Sequence, residues 1–287
     1  MLRAATTLSI ACLLVATACS GDGPSPYEPP RDGRVNLEFT DAPLPLGQIA
    51  RAIVQIDEVA VHGDVDGDHG FVTVIEGGPY EIKLHGLRNG LTQFFEGDVI
   101  PPGTYRQLRI HFTSALLELK DGRVFTTEDG TLDLTGQDTA GFKVFFDPPL
   151  VVREDGATNV LLDFDLRKTF SSVPGNDTAN ATSFHLHPSV RTAVLDETGE
   201  IRGVVTTKDG AAMVPAPDAE VYVLAPGEED LDQAFASTLA DANGSAAVLG
   251  IPPGTYDVVV IHDGLTDRAE NLVVTQGAIT SFEIELK

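Results

Sequence analysis

Tryptophan is absent from this 287-residue chain, methionine occurs twice, and both cysteines, Cys12 and Cys19, lie within the first nineteen residues. The remainder therefore contains neither a disulfide nor a thiolate metal site. Basic residues are also scarce, with 19 Lys and Arg against 43 Asp and Glu and a formal net charge of -24. That balance excludes a nucleic-acid protein, whose phosphate contacts need a basic face. It equally excludes charge-driven adhesion to anionic lipid, and it suits a solvated surface or cation binding. The chain lacks a Gly-x-Ser-x-Gly elbow, a His-Glu-x-x-His pair and a glycine-rich loop ending in Gly-Lys-Ser/Thr. The signatures of nucleophilic, zincin and phosphate-loop chemistry are thus missing. No helix-period stretch of ordinary length is present.

What the chain has in quantity is punctuation, with 28 glycines and 18 prolines spread along its length. Dense turn residues between short apolar alternations predict many strands, and the length accommodates two domains with separate cores. The expected architecture is all-β, with two β-sandwiches of Ig-like or prealbumin-like type in tandem after a signal peptide and a tether.

Residues 1–18 begin Met1-Leu2-Arg3 and continue in an apolar run from Ala4 to Ala16. The run is too short to span a bilayer as a stable helix and fits a signal-peptide core. Val15-Ala16-Thr17-Ala18-Cys19 resembles the bacterial lipobox, with Ala16 where leucine is usual. The resemblance implies lipidation of Cys19, which would become the first residue of the mature chain. Residues 19–33 then carry the polar, proline-rich stretch SGDGPSPYEPPRD, which cannot bury apolar surface and reads as a flexible tether. Ser20, where enteric bacteria use aspartate for inner-membrane retention, implies an outer-membrane anchor in a source that has one. The folded part would then face the periplasm or the exterior.

The first module is expected over residues 34–196. Val35-Asn36-Leu37-Glu38-Phe39 alternates with period two, and Thr40-Asp41-Ala42-Pro43 reads as a turn in which Asp41 bonds nearby amides. Gln48 to Arg51 fits either strand or a helical turn. Lys120-Asp121-Gly122 marks a hairpin, and Phe184-His185-Leu186-His187 reads as the module's last strand. The initial Thr-Asp-Ala-Pro strand end, the Pro102-Gly103-Thr104-Tyr105 turn and Leu162-Asp163-Phe164-Asp165 together resemble an uncharacterised bacterial lipoprotein family, a domain of unknown function. That resemblance implies no known activity.

The second module is expected over residues 199–287, with about seven short strands. Gly203-Val204-Val205, Ala219-Glu220-Val221, Asp241-Ala242-Asn243-Gly244 and Ile251-Pro252-Pro253-Gly254-Thr255-Tyr256 resemble the carboxypeptidase regulatory-like domain. That domain is a transthyretin-like sandwich grouped with carbohydrate-binding-like folds. It implies an accessory role without the peptidase's zinc ligands. Ser245-Ala246-Ala247 departs from the large residues usual after Asn-Gly and predicts thinner packing there.

Ile-Pro-Pro-Gly-Thr-Tyr occurs twice, at residues 100–105 and 251–256. The strand after the first copy alternates polar residues at Gln107, Arg109 and His111, whereas the second carries Val258 and Val260 at the corresponding places. The first strand is expected half-exposed and the second buried on both faces. The turn therefore reads as one way of entering a sandwich strand, used in two distinct modules.

Two groups of residues are candidates for chemistry. Asp64, Asp66 and Asp68 could offer oxygen ligands to calcium, although His69 and Ile75 stand where an EF-hand needs glycine and glutamate. The alternative is a polar hairpin tip. Asp163 and Asp165 share one strand face, as do His185 and His187, and would form a transition-metal site if those strands paired. The default is the polar outer face of a sheet. The leading expectation is a non-catalytic, membrane-anchored envelope lipoprotein that binds a glycan, an envelope protein or a cation. A ligand-free spacer is the second reading, and a hydrolase with an acidic or metal site in the first module is the third.

Overall fold

The computed structural model describes residues 31–42, 49–64, 70–134, 141–175 and 178–287. Residues 31–287 cluster as one compact unit.

In the first part of that unit, strands follow one another with little else between them. They are β1 (Gly33–Ala42), β2 (Ile49–Asp64), β3 (Phe71–Ile75), β4 (Tyr80–Ile82), β5 (Gln93–Phe95), β6 (Val99–Ile100) and β7 (Gly103–Leu119). Next come β8 (Val124–Thr126), β9 (Leu132–Asp133), β10 (Phe142–Val152), β11 (Ala157–Asp165), β12 (Phe170–Val173), β13 (Ser183–Leu186) and β14 (Val190–Val194). One sheet has the order β14-β11-β1-β5, with β6 also on β1. The other is β10-β7-β2-β3, with β4 on β2 and β8 on β7. A small third sheet runs β12-β13-β9.

Period-two alternation decides which side of each strand is buried. Val35, Leu37 and Phe39 of β1 are fully buried, as are Leu108 and Ile110 of β7, and they share one core with Leu162 and Phe164. Aromatic rings fill its centre, with Phe39 and Phe164 stacked at 6.1 Å between centroids and Phe112 edge-on to Phe142 at 5.6 Å. Strand β1 runs parallel to β11 across more than a hundred residues of sequence, placing Thr40 beside Asp163 and Asp41 beside Phe164.

The second part contains β15 (Gly199–Asp209), β16 (Ala212–Pro215), β17 (Glu220–Leu224), β18 (Ala236–Leu239), β19 (Ser245–Ile251), β20 (Gly254–His262), β21 (Leu265–Val274) and β22 (Ile279–Leu286). Strand β15 pairs with β16 and β19, and runs parallel to β22. The opposing sheet is β18-β17-β20-β21. Val258 and Val260 face the core between these sheets, whereas Val259 joins Tyr222 and Leu224 on the outer side. Leu231 and Ala234 from the preceding loop cover that outer cluster. Strand β20 is therefore buried on both faces, while β7 alternates, as their sequences require.

The all-β tandem-sandwich architecture is what the sequence predicts, with two local corrections and one open alternative resolved. Thr40 and Asp41 belong to β1 instead of a turn, because pairing with β11 continues through Ala42. Ile49 and Arg51 are already paired with β7, so that stretch is strand. The β13 strand is not the last of the first part, because β14 follows and pairs with β11.

The repeated turn uses the same device twice. The Tyr105 hydroxyl donates to the Pro101 carbonyl at 2.8 Å, and the Tyr256 hydroxyl to the Pro252 carbonyl at 3.1 Å. In each case the ring folds back over the diproline and supplies a partner for one of its carbonyls.

Candidate functional site

Strand β11 carries the candidate acids. Its burial runs unbroken from Val160 to Phe164, because its inner face lies on the core and its outer face lies against the second part of the chain. Gly250, at φ +66°, is the contact point. A Cβ there would come within 2.8 Å of Leu161 and 2.9 Å of Ala193, so only glycine combines this backbone conformation with this approach.

Asp163 lies on that outer face, opposite Arg191 of β14. Arg191 donates to one oxygen of the carboxylate from Nε at 3.1 Å and from Nη2 at 2.7 Å. The same guanidinium donates to the carbonyls of Leu249 and Gly250 in β19 and lies 4.9 Å from the Phe235 ring centroid. Burial pushes the Asp163 carboxyl above its ordinary value; Arg191 opposes that shift and the neighbouring Asp165 adds to it. The second Asp163 oxygen has no hydrogen-bond partner.

Asp165, two residues on, accepts from the Lys168 backbone amide at 3.2 Å and pairs with its ammonium at 3.3 Å. It thereby fixes the single α-turn Leu166–Thr169. Both acids border a cleft of about 170 Å³ between the two parts of the unit, whose other walls include Lys168, Arg191, Tyr222 and Phe235.

Asp41 is the residue that sequence reading placed least well. It is the penultimate residue of β1, on the core side, is 4 % exposed, and neither of its oxygens has a hydrogen-bond partner of ordinary geometry. Burial pushes its carboxyl well above the usual range, and the charges of Asp163 and Asp165 push it further. Arg88 and the Leu166 amide pull weakly the other way. The Leu166 amide, from the segment after β11, is the backbone group that faces Asp41, instead of an amide of its own turn.

His185 and His187 do not join Asp163 and Asp165. Strand β13 pairs with β12 and β9, whereas β11 pairs with β1 and β14, so the acids and imidazoles sit in different sheets. His185 pairs instead with Asp133 at 3.3 Å, and His187 packs edge-on to Phe142 at 5.8 Å. No cluster of three or more metal-ligating side chains exists among the described residues. Asp64 closes β2, while Asp66, Asp68 and Cys19 lie outside the described residues.

A second buried ion pair lies wholly within the second part. Asp257 accepts from the Gly227 and Asn271 amides at 2.9 and 2.8 Å and from Arg268 at 2.8 Å. Burial alone would raise its carboxyl, but these donors outweigh burial and hold it below the ordinary value. Unlike Asp163, it uses both oxygens, and it pins the loop after β17.

Further contacts join the two parts around the cleft. The Asn89 amide donates to the Thr238 hydroxyl at 3.1 Å, and Arg88 pairs with Asp218 at 3.3 Å. A Cβ on Gly90 would lie 3.1 Å from the Ala247 methyl. The small residues of Ser245-Ala246-Ala247 thus admit the loop at Gly90, which accounts for their departure from the usual large side chains.

Comparison with known proteins agrees with this division. Residues 32–188 match the family model described as Domain of unknown function (DUF4382), and residues 200–287 match the Carboxypeptidase regulatory-like domain. No curated protein matches the chain. Among solved structures, the GBS52 minor pilin of Streptococcus agalactiae is 11% identical, with 88% of this chain and 95% of that one covered and a TM-score of 0.25. The TIE protein of Bacillus anthracis is 12% identical, with 90% and 34% covered and a TM-score of 0.24. The BcpA major pilin subunit of Bacillus cereus is 13% identical, with 91% and 71% covered and a TM-score of 0.22. With its DUF4382 match covering more than half its length, followed by the regulatory-like match, this chain belongs to the DUF4382 family.

Proposed function

We propose that the protein is a non-catalytic envelope lipoprotein. It is anchored through lipid on Cys19, in the outer membrane of a source that has one, and it carries a rigid pair of β-sandwiches on a polar tether. Its partner, a glycan or an envelope protein, is met by the outer faces of those sandwiches.

The observation that carries this reading is the fate of Arg191. Its donors are spent on Asp163 and on two β19 carbonyls, so the charges in the cleft between the sandwiches serve as a strut. The lipobox-like Val15-Ala16-Thr17-Ala18-Cys19 and the proline-rich stretch after it support the anchor and the tether. Asp64, Asp66 and Asp68, at and just beyond the end of β2 in sequence, are proposed as an accessory calcium site.

Fatty-acid labelling tests the anchor. Cells fed an alkyne-tagged palmitate should yield a labelled protein in the membrane fraction, and Cys19→Ala should remove the label. An unlabelled wild-type protein, or a label that survives the substitution, would refute the anchor. Loss of a hydrolytic activity on Asp165→Asn with folding intact would favour the enzyme reading instead. Calcium should raise the melting temperature of the wild type by binding the folded state, and not that of the triple alanine variant at residues 64, 66 and 68.

A further inference from the structure

We propose that the loop at residues 87–91 is a latch between the two sandwiches, and that ionisation of Asp41 releases it by drawing Arg88 away from Asp218. On one side the loop is tied to the end of β1. The Leu87 carbonyl accepts from the Asp41 amide and from the Thr40 hydroxyl, both at 2.8 Å, and the Leu91 carbonyl accepts from the same hydroxyl at 3.0 Å. On the other side the loop holds the second sandwich. Arg88 pairs with Asp218, the Asn89 amide donates to the Thr238 hydroxyl, and Gly90 lies against Ala247. A residue that anchors the loop in the first sandwich thus carries a buried carboxyl with neither oxygen in an ordinary hydrogen bond.

Arg88 has two acidic neighbours in different surroundings. Its pair with Asp218 is open to water, with the side chains 45% and 71% exposed, and such a pair holds weakly. A neutral carboxyl at Asp41 does not compete with it. An ionised one is a buried charge without a counter-ion, and the nearby charges of Asp163 and Asp165 on β11 have its own sign. Arg191 and Lys168 are already engaged by those two acids. The charge of Arg88 also reaches Asp41, because Arg88 follows the residue whose carbonyl takes the Asp41 amide. The buried carboxylate gains more from that guanidinium than the exposed one loses. Burial and the two like charges keep the proton on Asp41 beyond the ordinary carboxyl range, so the exchange of partners comes as pH rises through the raised value.

Release leaves the sandwiches joined through Arg191, whose contacts with Asp163 and the β19 carbonyls do not involve the loop. The joint then hinges there instead of parting. Residues 89–91 also wall a groove of about 550 Å³ over the outer face of β15 and β19, where Arg202, Val204 and Ala247 form its floor. The state of the latch therefore sets how wide that groove stands.

Hydrogen exchange of the full-length protein in detergent tests the latch, read by mass spectrometry on peptides covering residues 87–91 and divided by the intrinsic chemical rate at each pH. Protection in the wild type should fall by at least about threefold between about pH 5 and about pH 9, the scale of one exposed ion pair. Asp41→Asn, neutral throughout, should keep the low-pH protection across that range. Arg88→Gln should show the lowered protection at both ends, and it decides the matter if Asp41→Asn does not fold. His85, three residues before Arg88, donates to the Ala52 carbonyl at 3.1 Å, and His85→Gln controls for its titration by leaving the wild-type profile intact. None of these variants touches Cys19, so the latch and the anchor fail separately. A flat profile in the wild type, the same fall in Asp41→Asn or Arg88→Gln, or loss of the fall in His85→Gln would overturn the proposal.

Discussion

Arg191 and Asp163 face each other across neighbouring strands, and both guanidinium donors that reach the acid converge on the same carboxylate oxygen. The pair is largely withdrawn from water, with the two side chains 19% and 6% exposed. Removing one partner leaves the other charge buried and uncompensated, which costs more than the pair itself contributes. Arg191→Met should therefore lower the unfolding free energy by about 3 kcal/mol. Adding Asp163→Leu should recover part of that loss. Urea titration of the two single variants and the double variant measures the coupling, and additive losses would show that the residues act independently.

Asp41 gives a pH-dependent prediction. The native state holds its proton more tightly than the unfolded chain, whose carboxylates titrate near 3.9. Its contribution to stability therefore falls as pH rises from that value through the raised native one. Asp41→Asn stays neutral throughout. The variant should gain on the wild type between pH 4.5 and pH 8, reaching an advantage of about 1–3 kcal/mol at the upper end. A constant difference across that range would mean that Asp41 titrates normally in the native protein.

The two tyrosines of the repeated turn should differ on replacement by phenylalanine. Tyr105 is fully buried and makes the shorter bond to its proline carbonyl, so Tyr105→Phe should cost about 1 kcal/mol and Tyr256→Phe less. Burial, together with the charge of Asp32, pushes the Tyr105 hydroxyl up to about 12. The native state again holds the proton more tightly, so stability should fall from about pH 10 upward. Tyr105→Phe should remove that part of the fall. Equal alkaline profiles for wild type and variant would count against the assignment.

Ala247 should tolerate no large side chain, because the Gly90 loop occupies the space beside it. Ala247→Phe should cost about 1–3 kcal/mol through overpacking. It should also speed proteolysis between residues 194 and 200, where the two sandwiches join. Unchanged proteolysis would place the contact outside the structural coupling.

Much of the fold was legible because alternation is local. Val35-Asn36-Leu37-Glu38-Phe39 states its own buried face, and the contrast between Gln107-Arg109-His111 and Val258-Val260 states how many faces of each strand are covered. Partner choice is not local, and the misreadings arise there. Nothing near Asp163 says that its strand lies between β1 and β14, or that Arg191 stands opposite it. The His185 and His187 strand shows the same alternation whichever sheet it joins. Asp41 was misplaced because Thr-Asp-Ala-Pro carries turn chemistry, whereas pairing with a strand more than a hundred residues away extends β1 through it. The small residues at 245–247 pointed to thin packing, and the structure shows what the thin place receives.

Arg191 bridges the two sandwiches through Asp163 and the carbonyls of Leu249 and Gly250, and differential scanning calorimetry of the full-length protein tests most directly whether that bridge makes them unfold as one. The wild type should unfold in a single transition whose calorimetric and van't Hoff enthalpies agree. Arg191→Met should separate it into two transitions, one for each sandwich. Two independent transitions in the wild type, or a single unaltered transition in the variant, would contradict the account.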